Sequence, residues 1–325
     1  MKIKETTKVY LYFIVVSLVQ MFISPMIFTY LYNHYKMNIG LANSAVHFLT
    51  FVPCAVIFIL LNSQSFKETL SFKKTPLINI MFAVLIGMLA QPIMSFLANI
   101  SQLFVTDTVG AFMEQVTPLS FFAMFFAMAI TPAITEEITM RGVVLHGFKD
   151  KNMFVAATVN GLLFAIFHFN LSQFLYAFAL GFLFAIMVRI TGSIFVTMVC
   201  HMTINGIQVA LAKFLVFAPG NEALHKEAVK EAAKITIAQR LDAISIIGVI
   251  AIAATALIVL VLKAMKYYTD KQYINVSKPV FAKVDIEENT IQSQENIKEN
   301  TWKLFINPWM AIIVALYIVA TVVLK

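Results

Sequence analysis

The segment SFFAMFFAMAITPAITEEITMRG, residues 120–142, joins an apolar run to three charged side chains. Its length suits a membrane-spanning helix, which needs about 20 mostly apolar residues. Glu136, Glu137 and Arg141 would then lie at membrane depth, where a charge costs about 2.5–3.5 kcal/mol even on the lenient insertion scale. Because ionisable residues at that depth are rare and usually functional, the segment predicts a site on a membrane helix.

The rest of the chain is equally apolar. Of its 325 residues 60% are hydrophobic and 13% are charged, and the mean hydropathy is +0.83. Soluble domains average about 45–50% apolar and about 25% charged residues, so a soluble fold is excluded. We therefore predict an all-α fold, a polytopic membrane helix bundle with eight core spans and a ninth carboxyl-terminal span. The nine predicted spans are 9–32, 40–62, 77–100, 119–140, 153–169, 172–190, 193–217, 241–263 and 304–324.

Composition divides the chain into five segments. Residues 1–118 are predicted to form amino-terminal transmembrane helices, and residues 119–217 form the core that carries the polar motifs. An external amphipathic helix and the eighth span are expected in 218–263. A polar cytoplasmic linker rich in Asn, Gln, Glu and Lys is expected in 264–303, before the final span in 304–325.

The distribution of basic residues predicts the orientation in the membrane. If the amino terminus is cytoplasmic, 17 of the 24 Lys and Arg lie inside and seven lie outside. Cytoplasmic loops carry an excess of Lys and Arg, so this orientation is favoured. The seven outside residues are Lys36, Lys213, Lys226, Lys230, Lys234, Arg240 and Lys325.

The net charge of +7 is spread through loops, which favours an anionic lipid surface as partner and not nucleic acid. Cys54 and Cys200 fall inside predicted spans, so a disulfide framework is not expected. The abundance of Lys, Ile, Asn and Phe favours a bacterial source, and therefore an integral protein of the plasma membrane.

Helical spacing separates the roles of the three charges. Glu136 and Glu137 point about 100° apart on a helix. Glu137 and Arg141 share one face at i,i+4 in the favourable order, which predicts an ion pair. Glu136 is left without a charged neighbour in the local sequence, and such a carboxylate can act as a general base. The alternative is that both glutamates are solvated at the cytoplasmic membrane edge.

Two further spans carry polar side chains at similar depth. His168 follows Phe164 by one turn in FAIFHF, and His201 and Asn205 share one helix face in HMTIN. Helix rise places Glu136 about 15 Å and His201 about 12 Å from the cytoplasmic ends of their helices, whereas His168 comes out at about 22 Å. Tilt or a later start of the fifth helix would bring all three to one level in the cytoplasmic half of the membrane. His168 could instead be a satisfied interior side chain. The four remaining histidines are interpreted as structural: His34, His47, His146 and His225.

Three motifs on successive helices, EEITMR at 136–141, FAIFH at 164–168 and HMTIN at 201–205, resemble a known pattern. Glu-Glu-x-x-x-Arg, Phe-x-x-x-His and His-x-x-x-Asn are similar to the motifs of the CAAX-protease and bacteriocin-processing family of intramembrane proteases. Each motif alone is weak, whereas all three in this order are specific. The resemblance covers about residues 119–210.

The resemblance implies proteolysis at a membrane-embedded site open to the cytoplasm. It implies that Glu136 and His168 activate a water molecule and that His201 and Asn205 hold the oxyanion. It gives Glu137 and Arg141 a structural role. The substrate implied is a membrane-associated peptide or protein tail, either a prenylated carboxyl-terminal tail in a eukaryote or a bacteriocin leader or membrane peptide in a bacterium. The favoured bacterial source makes bacteriocin or peptide maturation or self-immunity the expected role.

Zinc is an alternative that the sequence leaves open. Glu136, His168 and His201 could hold the ion with water in the fourth position. The H-E-x-x-H helix is absent, and Asn205 suits an amide donor better than a zinc ligand. We therefore favour catalysis that requires no cofactor.

Two other functions fit the same polar residues. In a proton-coupled transporter Glu136, His168 and His201 would relay protons. A noncatalytic membrane scaffold would keep the helices without the reaction. The absence of an obvious internal repeat weakens the transporter, and the intact set of four polar positions argues against a decayed scaffold.

Overall fold

The computed structural model describes residues 4–106, 108–217, 236–276 and 301–323. Of the described residues 84% are helical and none lies in a strand, which confirms the predicted all-α membrane bundle. Nine helices correspond to the nine predicted spans. They are α1 Glu5–His34, α2 Ile39–Leu61, α3 Leu77–Ser101, α4 Phe121–Val144, α5 Met153–Phe167, α6 Phe174–Thr191, α7 Ile194–Phe217, α8 Ile237–Val276 and α9 Thr301–Val322.

Within the described residues, eight of these helices are long and apolar enough to cross a membrane. The exception is α5, which has 15 residues and ends at Phe167, just before His168. At 1.5 Å per residue it is about 22 Å long, shorter than the about 30 Å hydrocarbon core. His168 therefore lies where a helix ends inside the bundle.

The carboxyl-terminal part differs from the sequence-based boundaries. Helix α8 continues to Val276, so the linker expected from residue 264 begins later than predicted. An apolar pattern marks where a helix leaves the bilayer, whereas the helix itself continues into polar sequence. The external amphipathic helix expected before α8 falls mostly on residues 218–235, outside the described residues, as do residues 277–300 of the predicted linker.

Small residues let α5 and α6 approach closely. A Cβ atom added to Gly181 would lie 2.8 Å from the Cα atom of Gly161 and 2.9 Å from the Cβ atom of Phe164. Real Cβ atoms essentially never approach so closely, so only glycine fits at this crossing. The crossing fixes the height of Phe164, and with it that of His168 one turn later.

Hydrogen bonds tie several loops into one end of the bundle, the amino-terminal end. Gln64 Nε2 donates to Glu5 Oε2 at 3.1 Å, which joins the α2–α3 loop to the start of α1. The Oγ atom of Ser193 donates to the carbonyl of Lys73 at 2.6 Å. Arg189 donates to the carbonyls of Lys149 and Lys151 at 2.8 and 2.7 Å. This end therefore gathers the loops α2–α3, α4–α5 and α6–α7.

The opposite end gathers the other connections. Arg240 Nη1 donates to Gln102 Oε1 at 2.7 Å, which joins the start of α8 to the end of α3. Lys213 near the end of α7 donates to the carbonyl of Thr117, in the loop before α4. The short helix Thr108–Val116 lies at this end as well. The fold thus has two distinct faces, and the chain begins at the amino-terminal one.

Candidate active site

Helix α4 carries the glutamate motif and is not a regular α-helix. Its turns widen to π-helix over Phe126–Ile130 and Ile138–Val144, on either side of the α-helical turns Thr131–Glu137. Short π segments are frequent at functional sites because they re-aim side chains and loosen the regular backbone ladder. The two glutamates are therefore the last residues of a short α-helical segment that lies between two π-helical segments.

Glu137 and Arg141 form the ion pair that their spacing predicts. Arg141 Nη1 lies 3.1 Å from Glu137 Oε1, and both side chains are fully buried. The guanidinium carbon also lies 4.1 Å from the ring centroid of Phe164 and 4.9 Å from that of Phe184. A planar cation between two aromatic rings gains cation–π attraction in addition to its ion pair. The pair connects α4 to α5 and α6.

Glu137 has a second partner on α7. Its Oε1 atom lies 3.0 Å from His201 Nδ1. A carboxylate paired with arginine is an acceptor only, so the proton lies on Nδ1 and the ring is fixed in orientation. His201 then directs Nε2 toward Glu136, whose Oε2 atom is 4.0 Å away. Glu137 thus positions His201, while Glu136 remains outside the buried pair.

His168 is held in a similar way by its own helix. Its Nδ1 atom lies 2.8 Å from the carbonyl of Phe164, which can only accept a hydrogen bond. The proton is therefore on Nδ1, and a neutral ring keeps a lone pair on Nε2. Phe169, the next residue, has φ 45°, a left-handed conformation that a bulky side chain seldom adopts. This turn ends α5 at the histidine.

Asn205 satisfies a backbone group of α4. Its Nδ2 atom donates to the carbonyl of Met128 at 3.0 Å. Pro132, four residues after Met128, has no N–H to offer that carbonyl. An amide group has two N–H bonds, so one fixes Asn205 against α4 and the other can serve a ligand.

One cavity of about 660 Å³ joins the three motifs. Glu136, His168, His201 and Asn205 all line it, whereas Glu137 and Arg141 lie behind the wall. The volume is within the about 300–1,000 Å³ that is usual for ligand pockets. The structure therefore brings together the four side chains that the sequence analysis singled out.

His47 of α2 lines the same cavity, although its sequence context predicted only a structural role. Its Nδ1 atom lies 3.1 Å from Thr135 Oγ1. Thr135 already donates its only proton to the carbonyl of Thr131 at 2.9 Å, so it accepts from His47. No acidic residue near His47 in sequence pointed to the site. The one feature of the sequence that could have indicated His47 as a site residue was the position of a histidine at membrane depth.

Toward its mouth the cavity is lined by uncharged polar side chains. Amides, hydroxyls and a phenol alternate there with Met94, Phe112 and Met113. Side-chain amides carry both a donor and an acceptor, as peptide groups do. The polar members are Asn43, Ser95, Gln102, Asn170, Ser172, Gln173, Tyr176 and Gln208.

The residues at the base of the cavity do not fit zinc as they stand. Among the described residues, no group of three or more His, Cys, Asp or Glu side chains is arranged to hold a metal ion. The 4.0 Å between His201 Nε2 and Glu136 Oε2 exceeds the about 3.3 Å between two ligands of a tetrahedral site with bonds of about 2.0 Å. The geometry provides a hydrogen-bonding site instead.

The cavity extends toward the end opposite the amino terminus. Its lining extends from Glu136 and His201 to Gln102, Val109 and Gln173, which belong to the connections of that end. No described residue of the α2–α3, α4–α5 or α6–α7 loops lines it. If the cavity opens at the end that it reaches, a cytoplasmic amino terminus and a site open to the cytoplasm exclude each other.

Comparison with known protein families gives a match in the part of the chain that carries the three motifs. Residues 118–207 match a family model described as Rce1-like, type II CAAX prenyl endopeptidase Rce1-like. A search of curated proteins and one of solved structures found no match. The matched residues include α4 to α6 and the part of α7 that carries His201 and Asn205. This segment contains all three polar motifs, and through it the chain is similar to the type II CAAX prenyl endopeptidases.

Proposed function

We propose that the protein is an intramembrane endopeptidase that hydrolyses a peptide bond of a membrane-associated peptide or protein tail. The observation that carries this proposal is the shared cavity: a carboxylate, two imidazoles and an amide from three helices line one space. The match of residues 118–207 to a protease family model supports the same reaction class. Maturation of a bacteriocin or another peptide, or self-immunity, is the role we propose for it.

Glu136 and His168 form the base side of the proposed site. Glu136 lies outside the buried ion pair, and His168 keeps the lone pair of Nε2 for the cavity. A water molecule between them would lose a proton to Glu136 while its oxygen bonds to the peptide carbonyl carbon. The same proton is then available to the departing amine when the C–N bond breaks.

His201 and Asn205 form the oxyanion side. Glu137 holds the proton on Nδ1 of His201, so a second proton on Nε2 makes the ring an imidazolium that donates into the cavity. Asn205 offers its remaining N–H from a side chain fixed against α4. Donors fixed before the reaction stabilise the developing negative charge without reorganising.

The lining of the mouth supports a peptide as the ligand. The side-chain amides of Asn43, Gln102, Gln173 and Gln208 line the cavity, and their remaining donors and acceptors can pair with peptide N–H and C=O groups. A proton relay requires only titratable side chains, so it does not explain why amide side chains line the cavity. Peptide hydrolysis therefore accounts for more of the cavity than proton-coupled transport does.

Asn205→Ala is expected to lower kcat for peptide cleavage by about 10²–10³-fold, because one oxyanion donor is removed. KM is expected to change little, since the donor acts mainly in the transition state. The measurement is cleavage of a peptide library by purified protein. Asn99→Ala is the matched control, because Asn99 also donates to a backbone carbonyl, at 2.8 Å, but does not line the cavity. Equal loss in both variants would contradict the assignment.

Metal removal tests the preference for catalysis without a cofactor. A strong chelator is expected to leave the cleavage rate unchanged, because the proposed activation of water by Glu136 and His168 requires no metal ion. The rate is measured before and after treatment and again with added zinc. Loss of activity that zinc restores would instead identify a zinc site.

A further inference from the structure

The direction in which the cavity opens can be related to the membrane through the charges of the two ends. Among the described residues, twelve cations lie on or beside the loops of the amino-terminal end, apart from the buried Arg141. Four acidic residues accompany them: Glu5, Glu68, Asp150 and Asp270. The twelve are Lys4, Lys8, Lys67, Lys73, Lys74, Lys149, Lys151, Arg189, Lys263, Lys266, Lys271 and Lys303.

The opposite end carries few cations. In the described ranges these are Lys36, Lys213 and Arg240. Lys213 is buried against the carbonyls of Thr117 and Leu119, and Arg240 is bonded to Gln102. An excess of Lys and Arg in short loops marks the cytoplasmic side. The charge distribution therefore assigns the amino-terminal end to the cytoplasm.

Further hydrogen bonds join other helices to the amino-terminal end, so the assignment to the cytoplasm applies to the whole of that end. Tyr10 donates to the carbonyl of Leu304 at 2.6 Å, and Asn79 donates to Thr269 Oγ1 at 2.9 Å. These contacts bring α1, α3, α8 and α9 to the same end of the bundle as the loops α2–α3, α4–α5 and α6–α7, which carry basic residues. The twelve cations thus report on one side of the membrane.

We infer that the cavity opens on the non-cytoplasmic side of the membrane and receives an extended peptide segment presented from there. The mouth lies among the connections of the end that is poor in cations, where Gln102, Val109 and Gln173 line it. The inference about the peptide rests on the proposed function, whereas the sidedness rests on charge and geometry alone. A cytoplasmic tail would have no direct access to this mouth.

The sidedness can be measured by labelling single cysteines in sealed right-side-out vesicles. Gln173→Cys tests the cavity lining, Thr106→Cys tests the same end of the bundle outside the cavity, and Lys67→Cys is the control on the amino-terminal end. Thr106 and Lys67 are exposed. A Cys54→Ala background removes the half-buried native thiol, and Cys200 is buried.

A membrane-impermeant maleimide is expected to label Thr106→Cys and Gln173→Cys in sealed vesicles and Lys67→Cys only after permeabilisation. The reverse pattern would overturn the inference. If Gln173→Cys does not react in either condition, the exposed Thr106→Cys position decides. Labelling needs no catalysis, so a Glu136→Gln background should give the same pattern.

A second arm separates this inference from the proposed function. A membrane-impermeant quenched-fluorescent peptide library is added to right-side-out and to inside-out vesicles. Cleavage is expected in the right-side-out preparation only. Cleavage confined to inside-out vesicles would overturn the sidedness. The expected labelling pattern with no cleavage in either preparation, or in detergent, would leave the sidedness standing and reject the protease.

Discussion

Glu136→Gln is expected to lower the rate of peptide cleavage by about 10²–10⁴-fold, the usual contribution of a general base. The amide keeps the size of the side chain but cannot accept the proton of the attacking water. Glu136 lies outside the buried Glu137–Arg141 pair, so the fold should persist. The measurement is the single-turnover rate with purified protein, together with its thermal unfolding midpoint.

Glu68→Gln is the matched control for this change. Glu68 is an exposed carboxylate on the α2–α3 loop, at the end away from the cavity mouth. The Glu68→Gln variant should cleave the peptide at the wild-type rate. A Glu136→Gln protein that cleaves as fast as Glu68→Gln would remove Glu136 from the chemistry.

Arg141→Met is expected to destabilise the protein by about 3–5 kcal/mol, because it leaves the Glu137 carboxylate buried without its cation. Both side chains of this pair are fully buried, so solvent cannot take over the role of Arg141. Stability is measured as the free energy of unfolding in micelles. The variant also loses the contacts of the guanidinium with Phe164 and Phe184.

The double variant Glu137→Gln/Arg141→Met separates charge from packing. Neutral replacement of both partners of a buried pair is often close to neutral in stability, so it should recover most of the loss. The amide introduced by Glu137→Gln would keep an oxygen that can accept from Nδ1 of His201. A double variant as unstable as Arg141→Met alone would show that the packing of Arg141, and not its charge, stabilises the bundle.

Much of the bundle could be predicted from the sequence because bilayer-length apolar runs are a strong signal. The pairing of Glu137 with Arg141 could be predicted too, since i,i+4 neighbours share a helix face. The convergence of Glu136, His168, His201 and Asn205 followed from three motifs on α4, α5 and α7. Each of these inferences used local spacing, which a sequence displays directly.

Other features depend on packing between distant parts of the chain. His47 meets Thr135 across 88 positions, and no local spacing indicates that contact. The second partner of Glu137, His201, is 64 positions away. The direction of the mouth depends on where the helix Thr108–Val116 and the α5–α6 connection lie, which hydropathy does not encode. Family resemblance suggested a cytoplasmic opening, whereas the charges of the two ends indicate the other side.

The most direct test of the account is a single turnover in H₂¹⁸O with enzyme in excess over a cleavable peptide. Direct attack of a water molecule activated by Glu136 and His168 predicts one ¹⁸O atom in the new carboxyl group of the product. Product mass is compared for the wild type and Glu136→Gln, which should form little product on the same timescale. A first-turnover product whose new carboxyl group contains only ¹⁶O would contradict the account, because a side-chain carboxylate would then be the nucleophile.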